Sequence, residues 1–463
     1  MPSICLYFHV HQPIRFGKFS LFHEGGKPLL EHYFNAPMNE HYFNKAKTKC
    51  YEPTNKLLLR LIEENYGAFK VNYSITGTFI EQAKKTAPGR DVLDSFRQLA
   101  STGNVEFLDE TYYHSLASLF SDPEEFEEQV KMHSALLRDE FHQTPKVFRN
   151  TEVIYSNRIA KIVEGMGYSG MLTEGIEWVL GWRSPNYVYK NQGGNLGVLL
   201  RNYKLSDDIG YRFSAKWWSE WPLTADKYAS WLSKAQGDTI NLFMDYETFG
   251  EHHWHDTGIL SFLRHLPSEV LKYQNLSFKT CSQTLSAFDK VGEIDVPSNL
   301  SWADLERDVS AWLGNKIQWA CFNQLESLGE KVRLANNPEL LHTYRLLQTS
   351  DHLYYLCTKS WQDGDVHKHF SPYKENTPYD NFINYMNILQ HFKRQVGYEL
   401  TRQENERANI FGKKRMAEIK SAFEEKEFRA EDENPTRPFN GENSGIIGGE
   451  VPIPSNAAAN IIQ

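Results

Sequence analysis

Two carboxylates in aromatic, strand-like surroundings are the residues of this chain that point most directly to chemistry. Glu152 ends the segment Val147-Phe-Arg-Asn-Thr-Glu152, and Asp245 lies much further along, in Asn241-Leu-Phe-Met-Asp-Tyr-Glu-Thr-Phe-Gly-Glu-His-His-Trp254. Cleavage of a glycosidic bond usually needs two such groups facing each other across a sugar, one as nucleophile or base and one as acid. The two segments therefore make glycosidic chemistry the first hypothesis.

Neither segment by itself decides the role of its carboxylate. The first carboxylate follows Arg149 and Asn150, which could orient it. The second has two acidic neighbours, Glu247 and Glu251, and alternation along a strand puts Asp245 and Glu247 on the same face. Spacing alone therefore leaves the choice among these three acidic residues open.

A histidine-bearing strand opens the chain, in the segment Ile4-Cys-Leu-Tyr-Phe-His-Val-His-Gln-Pro13. Successive side chains of a strand point to opposite faces. One face is then apolar, and the other carries Tyr7, His9 and His11. Two imidazoles on one face of a strand that stops at a proline are typical of an active-site wall.

The same histidines support a competing hypothesis, a metal-dependent amidohydrolase. Such enzymes hold a divalent ion with an H-x-H pair on the first strand of a barrel and an Asp from a late strand, and Glu251-His-His-Trp-His255 adds further potential ligands. However, the chain has no H-x-x-x-H or H-E-x-x-H helix pair. Ligand spacing therefore favours catalysis without a metal, with the imidazoles donating hydrogen bonds to sugar hydroxyls.

Composition excludes several classes of partner. The 463 residues carry a net charge of −9, whereas binding to nucleic acid or anionic membranes needs clustered Lys and Arg. The five cysteines are scattered and form no C-x-x-C pair, which disfavours a disulfide framework or a thiolate zinc site. With no signal peptide and no long apolar stretch, we expect a cytoplasmic protein without membrane or nucleic-acid partners.

Strand and helix patterns alternate along the first part of the chain. The helices include 124–141 and 158–165, the latter capped by Ser156-Asn157. The predicted strands are 71–75, 105–108, 146–150, 168–173, 198–201, 239–244 and 277–279. This alternation indicates a parallel sheet with crossover helices, and the number of units favours a barrel. In such barrels the chemistry lies at the C-terminal ends of the strands, where Glu152 and Asp245 fall.

The pattern becomes helical after Pro297. Trp312, Trp319 and Phe322 have helical spacing, and strand signals vanish from about residue 304 to residue 423. The remaining tail is charged and then rich in Gly, Pro, Asn and Ala, with too few large apolar residues to fold alone. We therefore expect a catalytic barrel over residues 1–300, a helical domain over 301–423 and a disordered tail over 424–463.

Five stretches, taken in order, resemble glycoside hydrolase family 57, and within it the α-amylase group. The stretches are His9-Val-His-Gln-Pro13, Gly103-Asn-Val-Glu-Phe-Leu-Asp-Glu-Thr-Tyr-Tyr-His114, Phe148-Arg-Asn-Thr-Glu152, Met244-Asp-Tyr-Glu-Thr-Phe-Gly-Glu-His252 and Leu347-Gln-Thr-Ser-Asp-His-Leu-Tyr-Tyr355. The resemblance implies an incomplete (β/α)7 barrel followed by a helical domain that packs beside it and completes the substrate cleft. It also implies that Glu152 is the nucleophile and Asp245 the acid/base.

The resemblance further suggests which residues contact substrate. Motif positions, and for Trp302 its potential as a stacking platform, yield this candidate set: His9, His11, Glu106, His114, Trp302 and Asp351. The implied activity is retaining hydrolysis of α-1,4-glucosidic bonds in starch, glycogen or maltooligosaccharides, with an α-glucan as partner and no metal or other cofactor. A 4-α-glucanotransferase or branching enzyme, an amidohydrolase and a non-catalytic glucan-binding protein stay open as alternatives, as does the oligomeric state.

Overall fold

The fold is a mixed sheet curled into a barrel and followed by helices. The computed structural model describes residues 2–20, 28–359, 371 and 373–432. The described strands, in chain order, are β1 Ser3–Val10, β2 Val71–Ile75, β3 Val105–Phe107, β4 Val147–Phe148, β5 Gly170–Glu174, β6 Val188–Asn191, β7 Gly197–Arg201, β8 Thr239–Asp245, β9 Ser277–Phe278 and β10 Lys290–Ile294.

Helices alternate with these strands, and the described elements that follow β10 are helices. The described helices are α1 Leu29–Tyr33, α2 Ala36–Ala46, α3 Glu52–Glu64, α4 Gly77–Lys85, α5 Ala87–Ser101, α6 Glu124–Phe141, α7 Asn157–Gly165, α8 Glu177–Leu180, α9 Tyr203–Gly210, α10 Ala225–Lys234, α11 Ile259–Leu271, α12 Cys281–Ala287, α13 Ser310–Leu313, α14 Lys316–Ala335, α15 Pro338–Leu347, α16 Ser350–Tyr354 and α17 Pro378–Asp432. A π-helical segment, Lys47–Tyr51, joins α2 to α3.

Seven of the described strands form a parallel ring. β8, β1, β2 and β3 pair in parallel along one side, and β4, β5 and β7 along the other. Asp109, just after β3, bridges to Phe148 of β4, whereas β7 meets β8 through the single pair Arg201 and Asn241. The predicted seven-stranded, incomplete (β/α) barrel is therefore confirmed, and its weak seam lies between β7 and β8.

The two faces of β1 pack into different cores, as the alternation predicted. Cys5 and Tyr7 lie in the barrel interior with residues such as Leu172 and Phe243. The other face joins the layer between barrel and helices, through Ile4, Leu6, Phe8 and Val10. Burial on both faces is expected for a parallel strand covered by helices, and it leaves the polar chemistry to the strand ends.

The helices after β10 form a core of their own with part of the barrel. Trp312 is fully buried, and it packs in one cluster with residues of α14, α15 and α17 and with residues of β4 and β5. By contrast, Trp319 is exposed on α14. Among the described residues, none of the helices combines the length and the hydropathy that a membrane-spanning helix needs.

Two compact units are distinguished, Met1–Leu400 and Thr401–Gln463. Almost all described side chains of the second unit are exposed, and its described backbone is the helix that ends at Asp432. The predicted disordered tail over 424–463 begins inside this helix, and from residue 433 it lies outside the described residues. The division into barrel, helical domain and tail stays a prediction.

Gly250 provides a test of the packing around the loop that follows β8. It has φ +121, and a Cβ atom there would lie 1.9 Å from the carbonyl oxygen of Lys49 in the π-helical segment. We expect Gly250→Ala to lower the free energy of unfolding by about 2–4 kcal/mol, because strain and a backbone clash add.

Gly258 is a matched control for Gly250. Its φ is also positive, at +85, but a Cβ atom there would meet nothing within 4 Å. Gly258→Ala should therefore cost only the left-handed penalty of about 1 kcal/mol. Urea unfolding of both variants measures the difference, and equal costs would contradict the close approach of the two segments.

Candidate active site

The two candidate catalytic carboxylates lie at the C-terminal ends of barrel strands. Asp245 is the last residue of β8 and pairs in register with His9 of β1. Glu152 follows β4 in a short helical turn, Thr151–Val153. Both side chains line one cavity of about 880 Å³. The cavity also receives five of the other predicted site residues: His9, His11, His114, Trp302 and Asp351.

Three hydrogen-bond donors surround the Glu152 carboxylate. His114 Nε2 lies 3.0 Å from Oε1, Trp302 Nε1 donates to Oε2 at 2.9 Å, and Ser350 Oγ lies 3.4 Å from Oε1. Burial raises the pKa of Glu152, but the hydrogen bond and charge of His114, together with the charge of Arg149 and the hydrogen bond from Trp302, bring it below its ordinary value. Glu152 is thus held as an oriented carboxylate ion.

Strained backbone marks this part of the site. His114, Glu152 and Val153 all have positive φ, at 51, 55 and 57 degrees. Left-handed conformations cost non-glycine residues free energy, and the β-branched Val153 is an especially unusual case. Asn150 stabilises the turn by donating to Ser118 Oγ and to the carbonyl of Ile154, both at 2.9 Å. Asn150 therefore orients the nucleophile candidate through the backbone.

Asp245 has a different set of neighbours. His9 Nδ1 lies 3.3 Å from its Oδ1, and the carboxylate is partly exposed to the cavity. Burial raises the pKa of Asp245, whereas the hydrogen bond and charge of His9 lower it, and the net pKa lies below its ordinary value. Each carboxylate therefore has an imidazole of its own, His114 for Glu152 and His9 for Asp245.

Glu110, which the sequence patterns did not single out, connects the two imidazoles. Its Oε2 lies 3.4 Å from His9 Nε2 and 3.4 Å from His114 Nδ1. Burial raises the pKa of Glu110, but the charge of His9 and the hydrogen bond from His114 bring it well below its ordinary value. Glu110 belongs to the second motif, so its position there was an available signal, but nothing in the spacing shows that its side chain points inward.

Arg149 contacts Glu110 and Trp302 of this network and has no direct contact with Glu152 among the described hydrogen bonds and ion pairs. Its side chain is fully buried, with Nη1 3.8 Å from Glu110 Oε2 and the guanidinium 4.9 Å from the Trp302 ring centre. Its charge lowers the pKa of Glu152, but less than the hydrogen bond and charge of His114 do. Arg149 therefore contributes to keeping Glu152 ionised, with a smaller effect than that of His114.

Tertiary contacts give Asp245 and its two acidic neighbours, Glu247 and Glu251, different surroundings. Glu247 is buried and accepts a hydrogen bond from the Tyr51 hydroxyl. Burial, with the charge of Asp245, raises the pKa of Glu247 to about 8. Glu251 forms ion pairs with Lys45 and Lys49. Although all three line the cavity, they have different charges or partners, which strand alternation could not reveal.

The structure places Glu106 apart from the other predicted site residues. It lies in the middle of β3 and accepts hydrogen bonds from the backbone N–H of Ser282, at 2.9 Å, and from the Ser282 hydroxyl. It does not line the cavity. Glu106 is therefore not positioned to contact a substrate in this cavity, contrary to the expectation from the motif. Its carboxylate instead connects β3 to the start of α12.

His11 and Asp351 form a second pair on the cavity wall. His11 Nε2 lies 3.0 Å from Asp351 Oδ2, and His11 Nδ1 lies 3.0 Å from the Thr76 hydroxyl. Burial lowers the pKa of His11 to about 4, so its imidazole is neutral at neutral pH. The pair brings α16 of the helical region against the end of β1.

Two groups of these side chains could in principle hold a metal ion: His9, Glu110 and His114, and also His11, His114 and Asp351. However, Arg149 Nη1 lies 3.4 Å from His9 Nε2, where it would repel a divalent cation. Burial lowers the pKa of His114, but hydrogen bonds to Glu110 and Glu152 raise it to about 9, so both ring nitrogens carry protons near neutral pH. These residues fit a hydrogen-bonded network better than a metal site, and catalysis without a metal stays a prediction.

Known proteins share the family and the fold of this chain. The pattern of the family described as "Glycosyl hydrolase family 57" matches residues 5–297. A protein of Methanocaldococcus jannaschii named "Putative alpha-amylase" is 48% identical over 416 residues, which cover 88% of this chain and 87% of that protein. The chain therefore belongs to glycoside hydrolase family 57.

Solved structures show the same fold at low identity. A 4-alpha-glucanotransferase from Thermococcus litoralis matches with TM-score 0.60 and 18% identity, over 83% of this chain and 59% of that one. A branching enzyme of the same family from Thermococcus kodakaraensis matches with TM-score 0.59 and 15% identity, over 86% of this chain and 90% of that one. The chain thus spans less than two thirds of the first of these proteins.

The protonated His114 makes stability depend on pH. Its pKa of about 9 in the folded chain exceeds the ordinary 6.5, so the folded chain binds an extra proton between these values. The free energy of unfolding should then fall as pH rises from about 6.5 to 9. We expect His114→Gln to remove most of this dependence, on the order of 3 kcal/mol in the free energy of unfolding. Urea unfolding at pH 6 and pH 9.5 measures it, and parallel changes in both proteins would contradict a protonated His114.

Proposed function

We propose that the protein is a retaining hydrolase of α-1,4-glucosidic bonds, with Glu152 as nucleophile and Asp245 as acid/base. The observation that carries the proposal is that one cavity contains both carboxylates, each with its own imidazole, at the C-terminal ends of barrel strands. The 48% identity to an α-amylase-named relative supports an α-glucan such as starch, glycogen or a maltooligosaccharide as substrate.

In the first step, an Oε atom of Glu152 attacks the anomeric carbon as the glycosidic carbon–oxygen bond breaks. Asp245, in its protonated form, gives its proton to the leaving oxygen. The donors His114 and Trp302 hold Glu152 in place. Such pre-positioning lowers the barrier because little orientational freedom remains to be lost.

In the second step, Asp245 acts as a base. Its carboxylate takes a proton from a water molecule, and the oxygen of that water attacks the anomeric carbon and displaces Glu152. Retention of configuration follows from two displacements on opposite faces. His9, 3.3 Å from Asp245, is positioned to share the proton that Asp245 loses and regains.

The low pKa of Asp245 in the free site is compatible with the acid role. A bound glucan would remove water from the cavity and leave the negative charge of Asp245 less solvated, which raises its pKa. The pKa of Glu152 would rise less, because its carboxylate keeps the hydrogen bonds from His114 and Trp302. Substrate binding would thereby push the two pKa values apart, as the mechanism requires.

A 4-α-glucanotransferase or branching enzyme is the second candidate function. The solved structures that share the fold include enzymes with both names. Transfer uses the same covalent intermediate and replaces water by a sugar hydroxyl in the second step. In either reaction, His11 with Asp351 and the face of Trp302 would contact the sugar next to the scissile bond.

Incubation with maltoheptaose separates hydrolysis from transfer. We expect products shorter than the substrate and a matching increase in reducing ends, because water resolves the intermediate. Excess EDTA should leave the rate unchanged, since the two carboxylates suffice. Chains longer than seven units would instead favour the transferase, and a loss of activity that zinc restores would favour the amidohydrolase.

Replacement of the carboxylates tests their roles. Glu152→Gln keeps shape but removes the nucleophile, so kcat should fall about 10⁴-fold or more. In the truncated variant Glu152→Ala, azide should restore some activity and give a glycosyl azide of inverted configuration, because it occupies the vacated space and attacks from that side. Glu251→Gln is the matched control, and it should retain activity because Glu251 is paired with Lys45 and Lys49 and has no contact with Glu152 or Asp245 among the described ion pairs.

Asp245→Asn should behave differently from Glu152→Gln. Substrates with good leaving groups need little protonation, so their first step should survive and the glycosyl-enzyme should accumulate. Azide should then give a product of retained configuration. Mass spectrometry of the trapped variant should place the sugar on Glu152, and a sugar on Glu247 or Glu251 would overturn the assignment.

A further inference from the structure

The loop that follows β10 contacts the proposed nucleophile. We call residues 300–307 of it the Trp302 loop. Trp302 donates from Nε1 to Glu152 Oε2 at 2.9 Å and from its backbone N–H to the Glu152 carbonyl at 3.3 Å. At its start, Leu300 exchanges two backbone hydrogen bonds with Tyr155, at 2.8 and 2.9 Å. The indole ring also lies 4.9 Å from the Arg149 guanidinium, so its position depends on that contact and on what holds the rest of the loop.

Four charged side chains, one of them from this loop, form a closed ring of ion pairs. Arg201 pairs with Glu174 at 3.0 Å and with Asp207 at 2.5 Å. Arg307 pairs with the same two carboxylates, with Glu174 at 3.4 Å and with Asp207 at 3.1 Å. Positive and negative charges thus alternate around the ring, and each has two partners of opposite sign. We call this set the charge ring.

The charge ring lies at the weak seam of the barrel. Glu174 ends β5, Arg201 ends β7 and Asp207 lies on α9. Arg201 Nε also donates to the carbonyl of Phe243 on β8 at 2.8 Å, across the seam where β7 and β8 share one paired position. Glu174 is fully buried and the other three are mostly buried, with Arg201 and Asp207 on the wall of the cavity.

Arg307 is the member of the ring that belongs to the Trp302 loop. One of its Nη1 hydrogens is donated to the carbonyl of Trp302, and its own carbonyl accepts from the N–H of Ser301 at 3.0 Å. Arg307 and Asp304 both have positive φ, at 53 and 56 degrees. A tight turn with two left-handed residues is costly and persists when its surroundings hold it in place.

We propose that Arg307 is a positioning residue for the nucleophile: by fastening the Trp302 loop to Glu174 and Asp207, it holds the indole N–H at Oε2 of Glu152. This inference rests on the proposed role of Glu152. Arg307 acts through Trp302, because its guanidinium contacts the Trp302 carbonyl and the ring carboxylates. Its loss should therefore change kcat much more than KM.

A double-mutant cycle separates this role from a general structural one. We expect Arg307→Ala to lower kcat on maltoheptaose about 30–100-fold with KM within about twofold, since a small displacement of an attacking group is costly. Trp302→Phe, which removes the indole N–H, should have a similar effect on kcat. In the Trp302→Phe background, Arg307→Ala should add less than about threefold, because both changes remove one interaction.

Chemical rescue and matched variants complete the test. Added guanidinium ion should restore part of the kcat of Arg307→Ala by occupying the vacated place between Glu174 and Asp207, but should not help Trp302→Phe. Arg307→Lys keeps the charge without the planar fork, so it should fold and show an intermediate loss. Arg212→Ala is the control, since Arg212 pairs with Asp208 outside the ring.

The outcomes are distinguishable from failure of the proposed function. Additive losses in the cycle, an unchanged kcat in Arg307→Ala or equal losses in Arg212→Ala would overturn the positioning role while leaving Glu152 as nucleophile. Full activity in Glu152→Gln would overturn the proposed function itself. Should Arg307→Ala fail to fold, the same cycle made with Arg307→Lys decides the question, because additive losses there overturn the proposal equally.

Discussion

The buried Glu110 carboxylate is the interaction on which both halves of the site depend. It lies within hydrogen-bond distance of His9 and His114, and each of these reaches one candidate catalytic carboxylate with its other nitrogen. Charges removed from water need partners of opposite sign, and Arg149 supplies a further positive charge beneath the three residues. The orientation of Glu152 and of Asp245 is therefore set by one shared network.

The barrel provides only part of the residues around the nucleophile. Trp302 and Ser350 follow the barrel in sequence, yet both contact the Glu152 carboxylate. Asp351, at the start of α16, pairs with His11 of the first-strand segment. The helical region thus contributes donors and a wall to the cavity, and a change in how it packs would alter nucleophile and substrate contacts together.

Hydrolysis and transfer share every feature described for the first chemical step. In both, a held carboxylate attacks and an acid assists departure of the leaving group. The two reactions differ in what reaches the covalent intermediate, which depends on how the cavity near Asp245 admits water or a sugar. Relatives with transferase and branching names share the fold, so the fold itself does not select between the two reactions.

Local sequence determined the barrel strands, the two faces of β1 and the location of Glu152 and Asp245 at strand ends, because alternation and strand order depend on neighbouring residues. The resemblance through five motifs added the family, which the comparisons confirm. Tertiary structure decided the linking role of Glu110, the separation of Glu106 and the different surroundings of Glu247. Those outcomes depend on contacts between residues far apart in the chain, such as Glu247 with Tyr51 and Glu106 with Ser282, and no local pattern encodes which distant side chain will become the partner.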